Sequence, residues 1–247
     1  THYQLARISI EKNNYEAATQ QLEQSYRIQE MLGDQIGMSA ALYRQARFLY
    51  RQGQNHQAAD LGQRALDIQQ AENAQLEMVR THRLLAYIMV EQSILGSAIF
   101  HAEAALNLCS ILNNFAESAA TYTQMADLCR RQNKLSSAET FALKSIEAFE
   151  RMVVLKFQAN ALYRLSIIQE AKMELPLALQ NGLKSKALLE QVKDQFGLVY
   201  ILIHLGDLYL GLNQKDEAQA VRQLGIKEAT KQDHPAIQTL HSRVENR

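Results

Sequence analysis

The sequence has no tryptophan, two prolines, two cysteines and ten glycines, and its charges cancel, with 26 Lys and Arg against 26 Asp and Glu. Each scarcity excludes something. So few prolines and glycines leave little room for long loops or a turn-rich β architecture. The two cysteines, Cys109 and Cys129, form no CxxC pair and no disulfide framework. Buried thiols in a reducing compartment are the expectation, and with them a cytoplasmic location. Balanced charge argues against general affinity for nucleic acid or an anionic membrane. No apolar run reaches the roughly 18 residues of a membrane span, and the longest apolar stretch, 198–212, is broken by His204 and Asp207. No signal peptide is visible. The chain begins at Thr1, so it is expected to be part of something longer.

What is present is a helix-forming composition, dominated by Ala, Leu, Gln, Glu, Lys and Arg, and a repeat. Asp, Gln and Gly recur at Asp34/Asp194, Gln35/Gln195 and Gly37/Gly197, always at the same offset. A quarter of that offset, a period of 40, holds along the whole chain. One column of small residues reads Ala6, Ala46, Ala86, Ala126, Ser166, Gly206. A second reads Ala18, Ala58, Ala98, Ala138, Ala178, Ala218, and a third Ser25, Ala65, Ala105, Ser145, Ser185, Gly225. An apolar column, Ile8, Phe48, Ile88, Leu128, Ile168, Leu208, keeps step with them. Fixed-period self-similarity of this length is the mark of a repeat architecture.

Between the first and second small positions stands Asn13, Gly53, Ser93, Asn133, Met173 or Asn213. Gly and Asn tolerate the left-handed conformation that closes a helix. Each unit therefore reads helix A, tight turn, helix B, with A over 35–51 and B over 55–71 in the second unit. Asp34 and Asp194 are expected to cap helix A. Pro176 falls at the start of a helix B, where the first turn tolerates proline. Small residues let two helices approach to about 8 Å, and one such hairpin cannot bury its apolar face without neighbours. Replacing Ala58 or Ala98 with Leu should overpack the contact, whereas the same change at Gln69, expected to be exposed, should cost almost nothing.

These columns resemble the tetratricopeptide repeat. The motif is carried by "LGDLYLGLNQKDEAQAVRQLG" from Leu205, "QARFLYRQGQNHQAADLGQRAL" from Gln45 and "MADLCRRQNKLSSAETFALKSI" from Met125. The 40-residue unit is similar to the long-repeat subclass of adaptor proteins and bacterial sensor and regulator arrays. Gln45 stands where leucine is usual, and the closing proline is mostly missing. The resemblance implies an all-α fold, a right-handed α-α superhelix of six helix-turn-helix repeats. Their bounds are 1–34, 35–74, 75–114, 115–154, 155–194 and 195–234, forming one solenoid domain with a capping helix over 235–247. Ile237, Leu240 and Val244 share one face of that cap. Starting inside a helix A, the first repeat should leave the neighbourhood of Leu5, Ile8 and Leu22 open to water.

No P-loop, GxGxxG, HExxH or GxSxG is present, so neither enzyme chemistry nor a cofactor is expected. His101 with Glu103 is a lone H-x-E without a Pro-Cys-x-x-Cys partner, and is expected to face solvent rather than bind a metal. Cys109 and Cys129 occupy columns that hold bulky residues elsewhere.

The resemblance implies that helix A lines a concave groove. By period, the first three repeats then gather Tyr3, Arg7, Tyr43, Arg44, Arg47, Tyr50, Arg51, Arg80, Arg83 and Tyr87 there. The acids of those helices are few: Glu11, Glu77 and Glu91. Arginine offers a planar fork to carboxylate, and tyrosine a rigid platform with a hydroxyl. The expected ligand is a protein or peptide segment, acidic or carboxylate-ended. Arg with Tyr is also a nucleic-acid composition, which the balanced charge ranks lower. Long Arg and Tyr side chains also cover ordinary helix surface. The leading functional reading is an interaction scaffold, with a ligand- or peptide-sensing region of a larger bacterial signalling or regulatory protein as the alternative. Uncapped solenoid ends would favour self-association.

Overall fold

The computed structural model describes residues 15–231, together with Leu5 and Ala236. Among the described residues there are eleven helices and no strand. They are α1 (Tyr15–Met31), α2 (Gln35–Arg51), α3 (Asn55–Ala71), α4 (Gln75–Glu91), α5 (Leu95–Ile111) and α6 (Phe115–Arg131). After them come α7 (Leu135–Arg151), α8 (Leu155–Ala171), α9 (Leu175–Gln191), α10 (Gln195–Gly211) and α11 (Lys215–Thr230). The A helices of the second to sixth repeats begin at residues 35, 75, 115, 155 and 195, as the period requires. Within a compact unit, successive helices pack as tetratricopeptide-like hairpins. The chain divides into two compact units, residues 1–121 and 122–247.

Every joint between these helices is three residues long, and its middle residue is left-handed. Gly33, Gly53, Asn73, Ser93, Asn113, Asn133, Val153, Met173, Lys193 and Asn213 all have φ between 51° and 74°. The reason is a hydrogen-bond pattern that satisfies the last free carbonyls of a helix. After α2, the Gly53 N–H donates to the Tyr50 carbonyl and the Gln54 N–H to the Leu49 carbonyl, both at 3.0 Å. After α7, Val153 and Val154 repeat it onto Glu150 and Phe149 at 3.0 and 3.1 Å. The turn within a repeat and the joint between repeats thus share one backbone shape. The backbone repeats with every single helix, and only the side chains distinguish A from B and so double the period.

The recurring Asp-x-x-Gly has a local cause. Asp34 accepts the Gly37 N–H at 2.8 Å, and Asp194 accepts that of Gly197 at 3.1 Å. A Cβ on Gly37 would collide with the Asp34 carboxylate as it sits in this cap, and the glycine leaves it room. Pro176 sits in the first turn of α9.

The small columns are the seams of the stack. All seventeen of their members within the described residues are buried, and so are Phe48, Ile88, Leu128, Ile168 and Leu208. In the first unit, Ala46 and Ala58 pack with Leu66, Leu84, Leu85 and Ile88. In the second, Ala126, Cys129, Ala138, Ala142, Leu165 and Ile168 form one cluster, and Ile201, Leu202, Leu205 and Leu208 of α10 belong to another. Leu5 is half exposed. Leu22, expected to border water, is instead buried, because Phe48 of α2 covers it beside Ala18. Ile8, and the proposed cap with Ile237, Leu240 and Val244, lie outside the described residues.

Candidate functional site

A helix shows one face at spacings of three and four. On α2 that places Tyr43, Arg44, Arg47, Tyr50 and Arg51 together, and on α4 Arg80, Arg83 and Tyr87. The structure brings all eight around a single cleft of about 660 Å³ in the first unit. Tyr3 and Arg7 lie outside the described residues. Ala40, the small residue one turn before Arg44, leaves the cleft its width, and Leu84 and Gln69 form its floor.

The cleft is basic, with five arginines against two glutamates. Glu77 is one of the acids read from the sequence. Glu91 is exposed and does not line the cleft, and Glu11 is outside the described residues. The second acid, Glu117, comes from the first turn of α6. Its main-chain N–H donates to the Asn114 side chain at 3.1 Å, a helix cap that favours an acid at this position. Its carboxylate takes Arg80 Nε at 3.1 Å and Arg83 Nη1 at 2.5 Å. Arg47 and Arg51 are exposed and have no ion pair among the described residues. Glu117 was missed because the groove was counted over three repeats, although the period carries Glu77 directly onto it.

Gln69 corrects the sequence reading. It is 1% exposed, not solvent-facing. It sits in the column of Cys109, Phe149 and Leu189, all core residues of α5, α7 and α9, so helix B turns this position inward. Its side-chain amide makes no hydrogen bond with the described residues, and its Oε1 is closed off from solvent. Leaving such a group unpaired costs about 1–3 kcal/mol.

Three other candidates resolve into structure. His101, expected to face solvent beside Glu103, is 8% exposed, and its Nδ1 lies 2.9 Å from Nδ1 of His82. One of the two nitrogens must donate and the other accept, so at least one ring is neutral, and burial lowers the pKa of both. Only Glu103 is exposed. Among the described residues no three His, Cys, Asp or Glu side chains gather as a metal ion would require. Both cysteines are buried, and burial raises the Cys109 thiol above its ordinary pKa, which leaves little thiolate to react. In the second unit, Ser166 Oγ lies 2.8 Å from His204 Nε2, with Glu170 3.6 Å beyond the ring. This is no nucleophile: Ser166 is fully buried and donates its proton to the Ala178 carbonyl at 2.6 Å.

The same A-helix columns are acidic in the second unit, where Asp127 and Asp207 stand in the column of Arg47. Asp127 is held by Arg130 and Arg131 at 2.9 and 3.0 Å, and Asp207 by Arg222 at 3.2 Å. The unbalanced basic surface therefore belongs to the first unit.

The family model for the tetratricopeptide repeat matches residues 1–30. Solved structures match nearly the whole length. The structure of a signal transduction ATPase with a tetratricopeptide repeat sensor from Pyrococcus horikoshii superposes with a TM-score of 0.80 at 10% identity, over 97% of this chain and 37% of that one. This is a tetratricopeptide-repeat fold. Two further structures share it. BtubC from P. vanneervenii has a TM-score of 0.76 at 17% identity, covering 89% of this chain and 91% of its own. A Rap protein in complex with Competence and Sporulation Factor has 0.74 at 15%, covering 99% and 73%. No curated protein matches the sequence. In tetratricopeptide terms, the cleft lies along the A helices α2 and α4, with helix B of the second repeat beneath it.

Proposed function

We propose that the chain is a protein-interaction scaffold that holds a peptide or partner segment in the cleft between α2 and α4. The observation that carries this reading is the cleft itself: five arginines and three tyrosines lining one hollow, with two acids among them. Arginine forks bind carboxylates two-pronged, and tyrosine and arginine are enriched at binding hot spots. An acidic or carboxylate-ended segment matches that chemistry. The fold supplies rigid helices to hold it, although fold alone does not fix function.

Titration of a library of Asp- and Glu-rich, free-acid peptides against the wild type and an Arg47→Glu/Arg51→Glu variant tests the proposal. Salt-sensitive binding that the variant loses supports it. Absence of binding to the wild type across the library removes it. No helix among the described residues is long and apolar enough to cross a membrane, so a peptide in water is the fitting probe.

A second reading makes the chain the sensing region of a larger regulatory protein. It is favoured by the sensor named in the Pyrococcus structure and by the factor bound to the Rap protein. A reading frame with no output domain on either side of this segment would remove it.

A further inference from the structure

Gln69 is the one buried polar side chain among the residues that line the cleft. Its counterparts Cys109, Phe149 and Leu189 fill the same helix-B position with side chains that need no hydrogen bond. Gln69 is as buried as they are, yet it lines the cleft and its amide makes no hydrogen bond with the described residues. A primary amide offers two acceptor lone pairs and two donor hydrogens, and a half-turn about its last bond exchanges the two edges. A buried polar atom without a partner calls for one, and a group bound in the cleft that Gln69 lines can supply it.

Resting on the peptide reading above, we infer that Gln69 pairs with the main-chain N–H and C=O of one residue of the bound segment, whose carboxylate lies on the arginines. In an extended chain the N–H and C=O of one residue point to the same side, the complement of the glutamine amide edge. A bare anion satisfies the arginines and leaves the Gln69 carbonyl oxygen unpaired. The cleft therefore selects an acidic peptide in extended form, with free N–H and C=O groups, over an inorganic anion or a helical segment whose main chain is already bonded. Gln69 is a specificity residue in this arrangement, and the arginines supply most of the attraction.

The test uses the tightest member of the peptide library, resynthesised with each main-chain nitrogen methylated in turn. Every version is titrated into the wild type, Gln69→Leu and the near-isosteric Gln69→Met. One methylation is expected to weaken wild-type binding about tenfold and to have little effect on either variant, both of which bind the parent peptide about tenfold more weakly. Melting temperatures should hold or rise, because Leu189 fills the same position of α9 within its core. Loss of affinity without loss of stability is a combination that a purely structural glutamine would not give. A flat methylation scan, unchanged affinity in both variants, or sulfate binding as tightly as the peptide overturns the inference and leaves the arginine cleft standing. If no library member binds the wild type, the reading and the inference fall together.

Discussion

Arg83 donates to Glu117 at 2.5 Å, so a guanidinium facing the cleft already holds a carboxylate from the protein's own chain. Both side chains are about four-fifths enclosed, at 21% and 17% exposure. Glu117 thus stands where a ligand carboxylate would have to go to use Arg83. Glu117→Gln should tighten binding of an acidic peptide by about threefold to tenfold while costing no more than about 1 kcal/mol of stability. Isothermal titration beside a denaturant melt reads both. Weaker binding in this variant would mean that Glu117 organises the arginines instead of competing for them.

Val153 bears the highest local cost among the ten left-handed residues. It is β-branched, and its φ is 55°. A left-handed residue with a Cβ costs about 1–2 kcal/mol, and Val153 is 75% exposed, so it recovers little by packing. Val153→Gly should raise stability by about 1 kcal/mol, and Gly53→Val should lower it by a similar amount. Urea midpoints of the two variants test the pair.

Ala58 is fully buried at a helix-to-helix seam. Ala58→Leu should cost about 1–3 kcal/mol by overpacking. The proper exposed control is Gln70, one residue on from Gln69 and on the solvent side of α3. Gln70→Leu should leave the melting temperature unchanged. Equal effects at both positions would show that the register of the repeat is misplaced.

His82 gives the first unit a pH dependence. Burial, and after it the neighbouring His101, lowers its pKa to about 4 from an ordinary 6.5. The unfolded chain then binds more protons than the folded one between these values. Stability is complete above about pH 6.5, falls as the pH drops towards 4, and levels off below, a loss on the order of 3 kcal/mol. His82→Gln should flatten that window in denaturant melts taken from pH 7 to pH 4.

How much of this was legible in the sequence follows from what each residue depends on. Ala58, Ala98 and Ala138 are set by the space between two helices, a demand that every repeat makes alike, so period alone finds them. Asp34 and Gly37 are set by their own turn and are equally plain. Arg47 and Arg83 are placed by the period on the groove that the tetratricopeptide resemblance implies. Gln69 is not, because its neighbours are core residues only by comparison with later repeats, and glutamine reads as surface. His101 escaped for the same reason, its partner His82 being on another helix. Glu117 escaped because a groove wall comes from the repeat beyond the one being counted.

The identical joints make the chain editable in a particular way. Excision of one whole hairpin, from one left-handed position to the second one along, removes one A and one B helix and rejoins backbone of the same shape. The new seam then brings together columns that already match. Excision of a single helix also rejoins the backbone smoothly, but it sets an A helix where a B helix belongs, and the small residues no longer meet. Gain and loss of whole hairpins is therefore the inexpensive route by which such a chain can change length, and half-hairpins are filtered out by packing alone.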